Sequence, residues 1–369
     1  MKTVHQQVDS VAELLSLLRQ GGVLRGYAFC GLDFPDEAVE CRFERCLFMG
    51  CRLSPFHHFA MGEECYVFPS LPKPYHTFLA HLYTPEELYD RYDPASPESF
   101  DECYDTRVYR HYISTGKEPD SVGEHLARSM HDHSVSVALH DMLDRYPERG
   151  VVAVMGGHSL ARTDATYRSV ALISKRLTEA GLLVCTGGGP GAMEAAHLGA
   201  WLAGRADSVV DEALAVLAAA PTYKDSAWLS LAWAVRERWP RGEEWSSVGI
   251  PTWFYGHEPA TPFASHVAKY FDNSIREDGL LAIAKGGVIY SPGSAGTMQE
   301  IFQDAAQNHY ATFGPSAPMV FLGTDYWSRE VPIYPLLADL LSRGKYKDLR
   351  LTLSDSPDEI VATFLANLG

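Results

Sequence analysis

From Gly150 onward, short β-branched runs ending in glycine turns alternate with helix-patterned segments, and this alternation constrains the fold more than any other feature. "GVVAVMGG" reads as a buried strand feeding a turn. "ATYRSVALISKRLTEAG" follows, with Tyr167, Val170, Ala171, Ser174 and Leu177 on one helical face and Gly181 as its stop. "LLVCTGGGPG" and "AMEAAHLGAWLAG" repeat the pair, and "SSVGIPTWF", "GGVIYSPGSAG" and "APMVFLGTDYW" supply later strands. Uniformly apolar strands separated by helices predict an α/β fold, a doubly wound parallel sheet with both faces covered. Ligands of such sheets bind at the carboxyl ends of the strands, where these glycine turns lie.

The rest of the chain divides around that domain. The reading is an N-terminal accessory region over 1–110, a helical connector over 111–149 and the sheet domain over 150–369. The last is interrupted by a tryptophan-rich insertion at 205–247, for which a lid, an oligomer contact and plain packing against the sheet are all open. Val8, Val11, Leu14, Leu15 and Leu18 share a helical face near the start, without the apolar run of a targeting segment or a membrane span. In "CRFERCLFMGCRL", Cys41, Cys46 and Cys51 recur every five residues, each followed two places later by Phe43, Phe48 or Leu53. That spacing resembles a short pentapeptide-repeat coil with both side chains inward; a metal site on Cys41, Cys46, Cys51 and Cys65 lacks the close pairs zinc favours. In the connector, His131, Asp132, His133, His140 and Asp141 are expected on a polar helix face, since sequence neighbours point different ways on a helix. Seven cysteines suggest reduced thiols and a cytoplasmic protein. A formal charge of −16 disfavours nucleic acid or an anionic membrane as partner but leaves room for a small anion in a backbone-lined pocket.

Two glycine turns carry the chemistry. "TGGGPGAMEAA" and "YSPGSAGTMQE" each place glycines before a helix-opening pattern, where free N–H groups and the helix dipole attract phosphate or carboxylate. Neither turn is a lysine-containing phosphate loop or a G-x-G-x-x-G dinucleotide fingerprint. Locally, Thr297 and Glu300 also match a helix-capping box, and Glu194 also suits the first turn of its helix for dipole reasons alone.

Taken together, "GGGPGAMEAAHLGA" and "PGSAGTMQE", about a hundred residues apart, resemble the LOG (Lonely Guy) family. The likeness spans about residues 150–369. It implies a Rossmann-like domain that hydrolyses the N-glycosidic bond of a nucleoside 5′-monophosphate, giving free base and ribose 5-phosphate, without cofactor or metal and as a homodimer. On that resemblance Gly187, Gly188, Gly189, Gly191, Met193 and Glu194 fall on the first motif. Pro292, Gly293, Gly296, Thr297 and Glu300 fall on the second, and Arg276 is the family's arginine. Ser294 stands in place of a glycine, and Glu277 in place of a lysine. Gly293, Ser294, Gly296 and Thr297 are expected to hold phosphate. As catalytic residues, Glu300 would orient or deprotonate water and offset the sugar's charge, Arg276 would anchor phosphate or ribose or polarise the leaving group, and Glu194 would bind ribose hydroxyls or assist the base. Gly156, Gly157, His158 and the glycine turns would line the pocket. A nucleotide sensor without turnover and a molybdenum-cofactor carrier remain as alternatives.

Overall fold

A computed structural model describes residues 5–36, 40–256 and 258–368, and the chain forms two compact units. The first comprises Met1–Leu82 with Arg110–His140, and the second Tyr83–Tyr109 with Asp141–Gly369.

The first unit is a parallel coil. Strands β1 (Gln6–Val8), β2 (Gly22–Arg25), β3 (Tyr27–Cys30), β4 (Cys41–Glu44), β5 (Leu47–Met49) and β6 (Tyr66–Phe68) form two ladders, β1-β3-β5-β6 and β2-β4. Ala28 pairs with Leu47, Leu47 with Tyr66 and Gly22 with Cys41, so the same register step recurs as the chain winds. Phe29, Phe34, Phe43 and Phe48 fill the interior, with Phe29 stacked on Phe48 at 5.2 Å. Burial pushes the Cys30 thiol up to about 12, and the Cys46 thiol, also raised, lies 3.3 Å from the carbonyl oxygen of Leu24. The apolar pattern read as one helix near the start divides instead. Val8 belongs to β1, Ser10 caps the break, and the helix spans Val11–Gln20 with Leu14 and Leu17 buried.

Helix Val122–Leu143 contributes its first part to this unit. His133, His140 and Asp141 are exposed as a polar face requires, but His131 and Asp132 are buried and paired at 2.8 Å. Glu124 is 2% exposed and meets Lys73, Tyr75, His111 and Arg128 at 2.8–3.1 Å. Burial alone would raise its pKa, yet those partners outweigh the penalty and hold it at about 2. Residues 111–140 thus belong with the N-terminal region and do not form a separate connector.

The second unit holds the doubly wound sheet. Strands β7 (Val151–Met155), β8 (Leu183–Thr186), β9 (Ser247–Gly249), β10 (His266–Val267), β11 (Gly287–Tyr290), β12 (Pro318–Leu322) and β13 (Arg350–Ser354) lie in the order β10-β9-β8-β7-β11-β12-β13, all pairs parallel. Every residue of β7, β8, β9, β11 and β12 is buried, which explains why none of them is charged. Helices Ala165–Glu179 and Ala192–Trp201 cross closely because Gly199 has no side chain; a Cβ there would lie 2.0 Å from the Ala171 carbonyl oxygen. The tryptophan-rich segment forms helices Asp207–Leu217 and Trp228–Arg238, whose Val210, Ala213, Leu217, Ala232 and Val235 enter the core of this unit.

Residues 83–109 also join the sheet unit, so the boundary expected near residue 110 lies instead at residue 83. Tyr83 bridges Val267, Tyr89 Oη donates to the Ala260 carbonyl at 2.5 Å, and Trp253 Nε1 donates to Asp105 at 2.8 Å. Asp105 is further paired with the buried Lys269 at 2.6 Å. These partners tie the segment in place before the chain leaves for the first unit.

Candidate active site

The chain reverses its direction of build-up at β7. From β7 it moves outward through β8, β9 and β10, then returns to the other side of β7 with β11, β12 and β13. Loops leaving β7 and β11 therefore diverge, and a crevice opens at their carboxyl ends. A cavity of about 290 Å³ lies there.

Three turns build its floor, and glycine is required where they touch. Gly157 N donates to the Pro292 carbonyl at 3.1 Å, and Ala192 N donates to the Gly157 carbonyl at 3.1 Å. A Cβ on Gly191 (φ +72°) would fall 2.3 Å from the Gly157 carbonyl oxygen. One on Gly293 would fall 2.2 Å from Thr297 Oγ1. Gly188, Gly191, Pro292 and Gly293 thus hold the turns together and do not line the cavity. Gly156, Gly157, His158, Gly187, Gly189, Met193, Ser294, Gly296, Thr297, Arg276 and Glu300 do line it.

Helix Ala295–Tyr310 starts at the cavity. Its N-cap is Ser294, and no side chain caps it. Thr297 is already inside the helix, so Thr297 and Glu300 do not form the capping box that their spacing allows. The first-turn amides and the positive end of the dipole are directed to the cavity side, where Gly296 and Thr297 line it. One turn further, Glu300 is half-buried with no hydrogen bond or ion pair among the described residues. Burial pushes its pKa up to about 7, opposed by the charge of Arg276 and reinforced by that of Glu277.

Arg276 comes from helix Asn273–Ile283 and is held by its neighbour. Asn273 Oδ1 accepts from Arg276 Nε at 3.2 Å and Nη2 at 2.9 Å, while Asn273 Nδ2 donates to Glu277 at 2.8 Å. This leaves Nη1 toward the glycine turn, 3.6 Å from where a Gly187 Cβ would stand. Glu277 sits where a lysine was expected from the resemblance, and its carboxylate is 4.0 Å from the guanidinium.

Glu194 lies elsewhere than expected. It is 1% exposed, and both carboxylate oxygens meet Arg162, at 2.5 and 3.2 Å. Arg162 also donates to the carbonyls of Ala220 and Trp228. This carboxylate pins a helix to the tryptophan-rich segment and does not reach the cavity.

Sequence reasoning missed one wall. Pro251, Thr252, Tyr255 and Glu258 follow β9 and line the cavity, with Glu258 Oε1 3.4 Å from His158 Nδ1. The available signal was position: "GIPTWFYGHEP" leaves the carboxyl end of a strand two places from the switch point, as the glycine turns do. The cavity therefore combines a helix N-terminus and one guanidinium with three carboxylates, Glu258, Glu277 and Glu300. It suits a ligand with an anionic end and several hydrogen-bond donors.

No family model matches the chain, and no curated protein does. Solved structures do. The molybdenum cofactor binding protein from the phototrophic bacterium Rippkaea orientalis is 16% identical with a TM-score of 0.38, over 61% of this chain and 99% of that one. The molybdenum cofactor carrier protein from Chlamydomonas reinhardtii is 14% identical with a TM-score of 0.38, over 61% and 99%. Likeness at this level carries no argument about ligand or activity. Among the described residues, no helix is long and apolar enough to cross a membrane.

Proposed function

We propose that the cavity binds a nucleoside 5′-monophosphate and hydrolyses its N-glycosidic bond, as the resemblance to the LOG family implies. The observation that carries this reading is the meeting, on one cavity wall, of an uncapped helix N-terminus, Arg276 and a desolvated Glu300.

Phosphate would rest on the amides of Gly296 and Thr297, with Arg276 anchoring phosphate or ribose. Ribose hydroxyls are donors, and Glu277 is an acceptor within the same cavity. Breaking the bond leaves positive charge on the sugar while the base departs with the electron pair. Glu300, with a pKa near 7, takes a proton from water as the water oxygen bonds to C1′, and its charge offsets that of the sugar. The departing base gains a proton, so the products are base and ribose 5-phosphate.

Purified protein incubated with a panel of nucleoside monophosphates tests this. Free base and ribose 5-phosphate should appear in equal amounts, at a rate that rises as pH climbs through about 7. Glu300→Gln and Arg276→Ala should fold as the wild type and lose activity by on the order of 100-fold or more. Nucleotide bound but never cleaved would leave a sensor or a carrier in place of an enzyme. Wild-type turnover by both variants would overturn the residue assignment.

A further inference from the structure

A second cavity of about 570 Å³ opens on the sheet unit and shares no lining residue with the first. Trp201, Trp233 and Tyr92 supply aromatic surface, and Arg236, Arg241 and Glu86 supply charge.

Arg236 stands out against the other buried arginine of this unit. Arg162 has a buried carboxylate and two backbone carbonyls to receive its donors. Arg236 is 7% exposed, yet its carboxylate partner, Glu86, is 63% exposed on the short helix Pro85–Leu88. Its Nη1 is buried without a hydrogen-bond partner. The guanidinium lies 4.5 Å from the ring centre of Trp201 and 4.0 Å from that of Trp233. Arg241, 5.9 Å from the Trp201 ring, adds a second positive charge. Burial pulls the Arg236 pKa down to about 10 against the opposing pull of Glu86, and Arg241 adds to the fall. A guanidinium that served packing alone would have its donors filled from within. This one lines an open aromatic cavity, with its Nη1 enclosed and unfilled and its Nη2 held by an exposed carboxylate.

We infer that this second cavity is a binding site for a planar aromatic carboxylate, whose ring packs on Trp233 and whose anionic end replaces Glu86 at Arg236. Glu86 acts as an internal stand-in for the ligand. It is exposed, on a one-turn helix, so a displaced carboxylate would meet solvent.

Calorimetric titration of the full chain with 2-naphthoate tests the site. Saturable binding at one site is expected, and Glu86→Gln should tighten it roughly threefold or more by removing a competing anion. Arg236→Lys, which keeps the charge but loses the fork, should weaken binding roughly tenfold. Trp233→Ala, at a half-exposed position, should do the same and guards against misfolding of the arginine variant. The inference is overturned if no binding is seen, if Glu86→Gln binds no more tightly, or if the neutral 2-naphthamide binds as well as the carboxylate.

Discussion

A carboxylate placed in a cavity with no hydrogen bond to hold it loses hydration and gains little in return. That is the situation of Glu300, and its pKa near 7 is the consequence. Because the folded value lies above the unfolded one, its full contribution to stability is present below about pH 4.5 and is lost as pH rises through about 7. Glu300→Gln should therefore be more stable than the wild type above pH 7.5, by on the order of 2 kcal/mol, with the difference vanishing below pH 4. Urea unfolding across that pH range measures it, and a difference independent of pH would contradict the desolvation account. Glu194 shows where residue-level reading stops. Both glutamates follow a glycine turn by a similar distance, but one faces the cavity and the other meets Arg162, 32 residues away in sequence. Local spacing carries no trace of that partner.

At the scale of elements, the turns were legible because their glycines answer a backbone need. Gly191 has φ 72° and ψ −128°, a conformation that other residues rarely adopt, and a Cβ there would lie 2.3 Å from the Gly157 carbonyl oxygen. Gly191→Ala should destabilise the protein by about 2–3 kcal/mol or more and lower ligand affinity at the switch-point cavity. Chemical denaturation checks the first effect; near-wild-type stability would show that the turn relaxes. Strands β7, β8, β9, β11 and β12 were legible as short runs without a charged residue, next to glycine turns. β13 was not, since "RLTLS" is half polar and sits at the sheet edge, and β10 is only two residues long. The wall contributed by Tyr255 and Glu258 was missed for a related reason: nothing in its composition marks a segment that lines a cavity.

For the whole molecule, the division into two units was visible only coarsely. Cys41, Phe43, Cys46 and Phe48 of the five-residue spacing are buried, but residues 83–109, expected in the N-terminal region, join the sheet unit, and residues 111–140, expected in a separate connector, join the first unit. The deciding contacts, Tyr83 with Val267 and Glu124 with Lys73, join positions 184 and 51 residues apart, which no local pattern reveals. A net charge of −16 is compatible with the proposed anion site, because the helix amides and Arg276 would act at contact distance while most of the acidic surface acts through solvent. In the proposed complex, the amides opening helix Ala295–Tyr310 grip the phosphate of a nucleotide whose sugar faces Glu300. The most direct measurement is a crystal structure of the Glu300→Gln protein soaked with a nucleoside 5′-monophosphate. Phosphate oxygens are expected on the amides of Gly296 and Thr297, Arg276 on phosphate or ribose, and C1′ turned toward residue 300. A nucleotide seated away from the switch point, or a ribose pointing away from residue 300 with its phosphate beside Glu258 and Glu277, would contradict this arrangement.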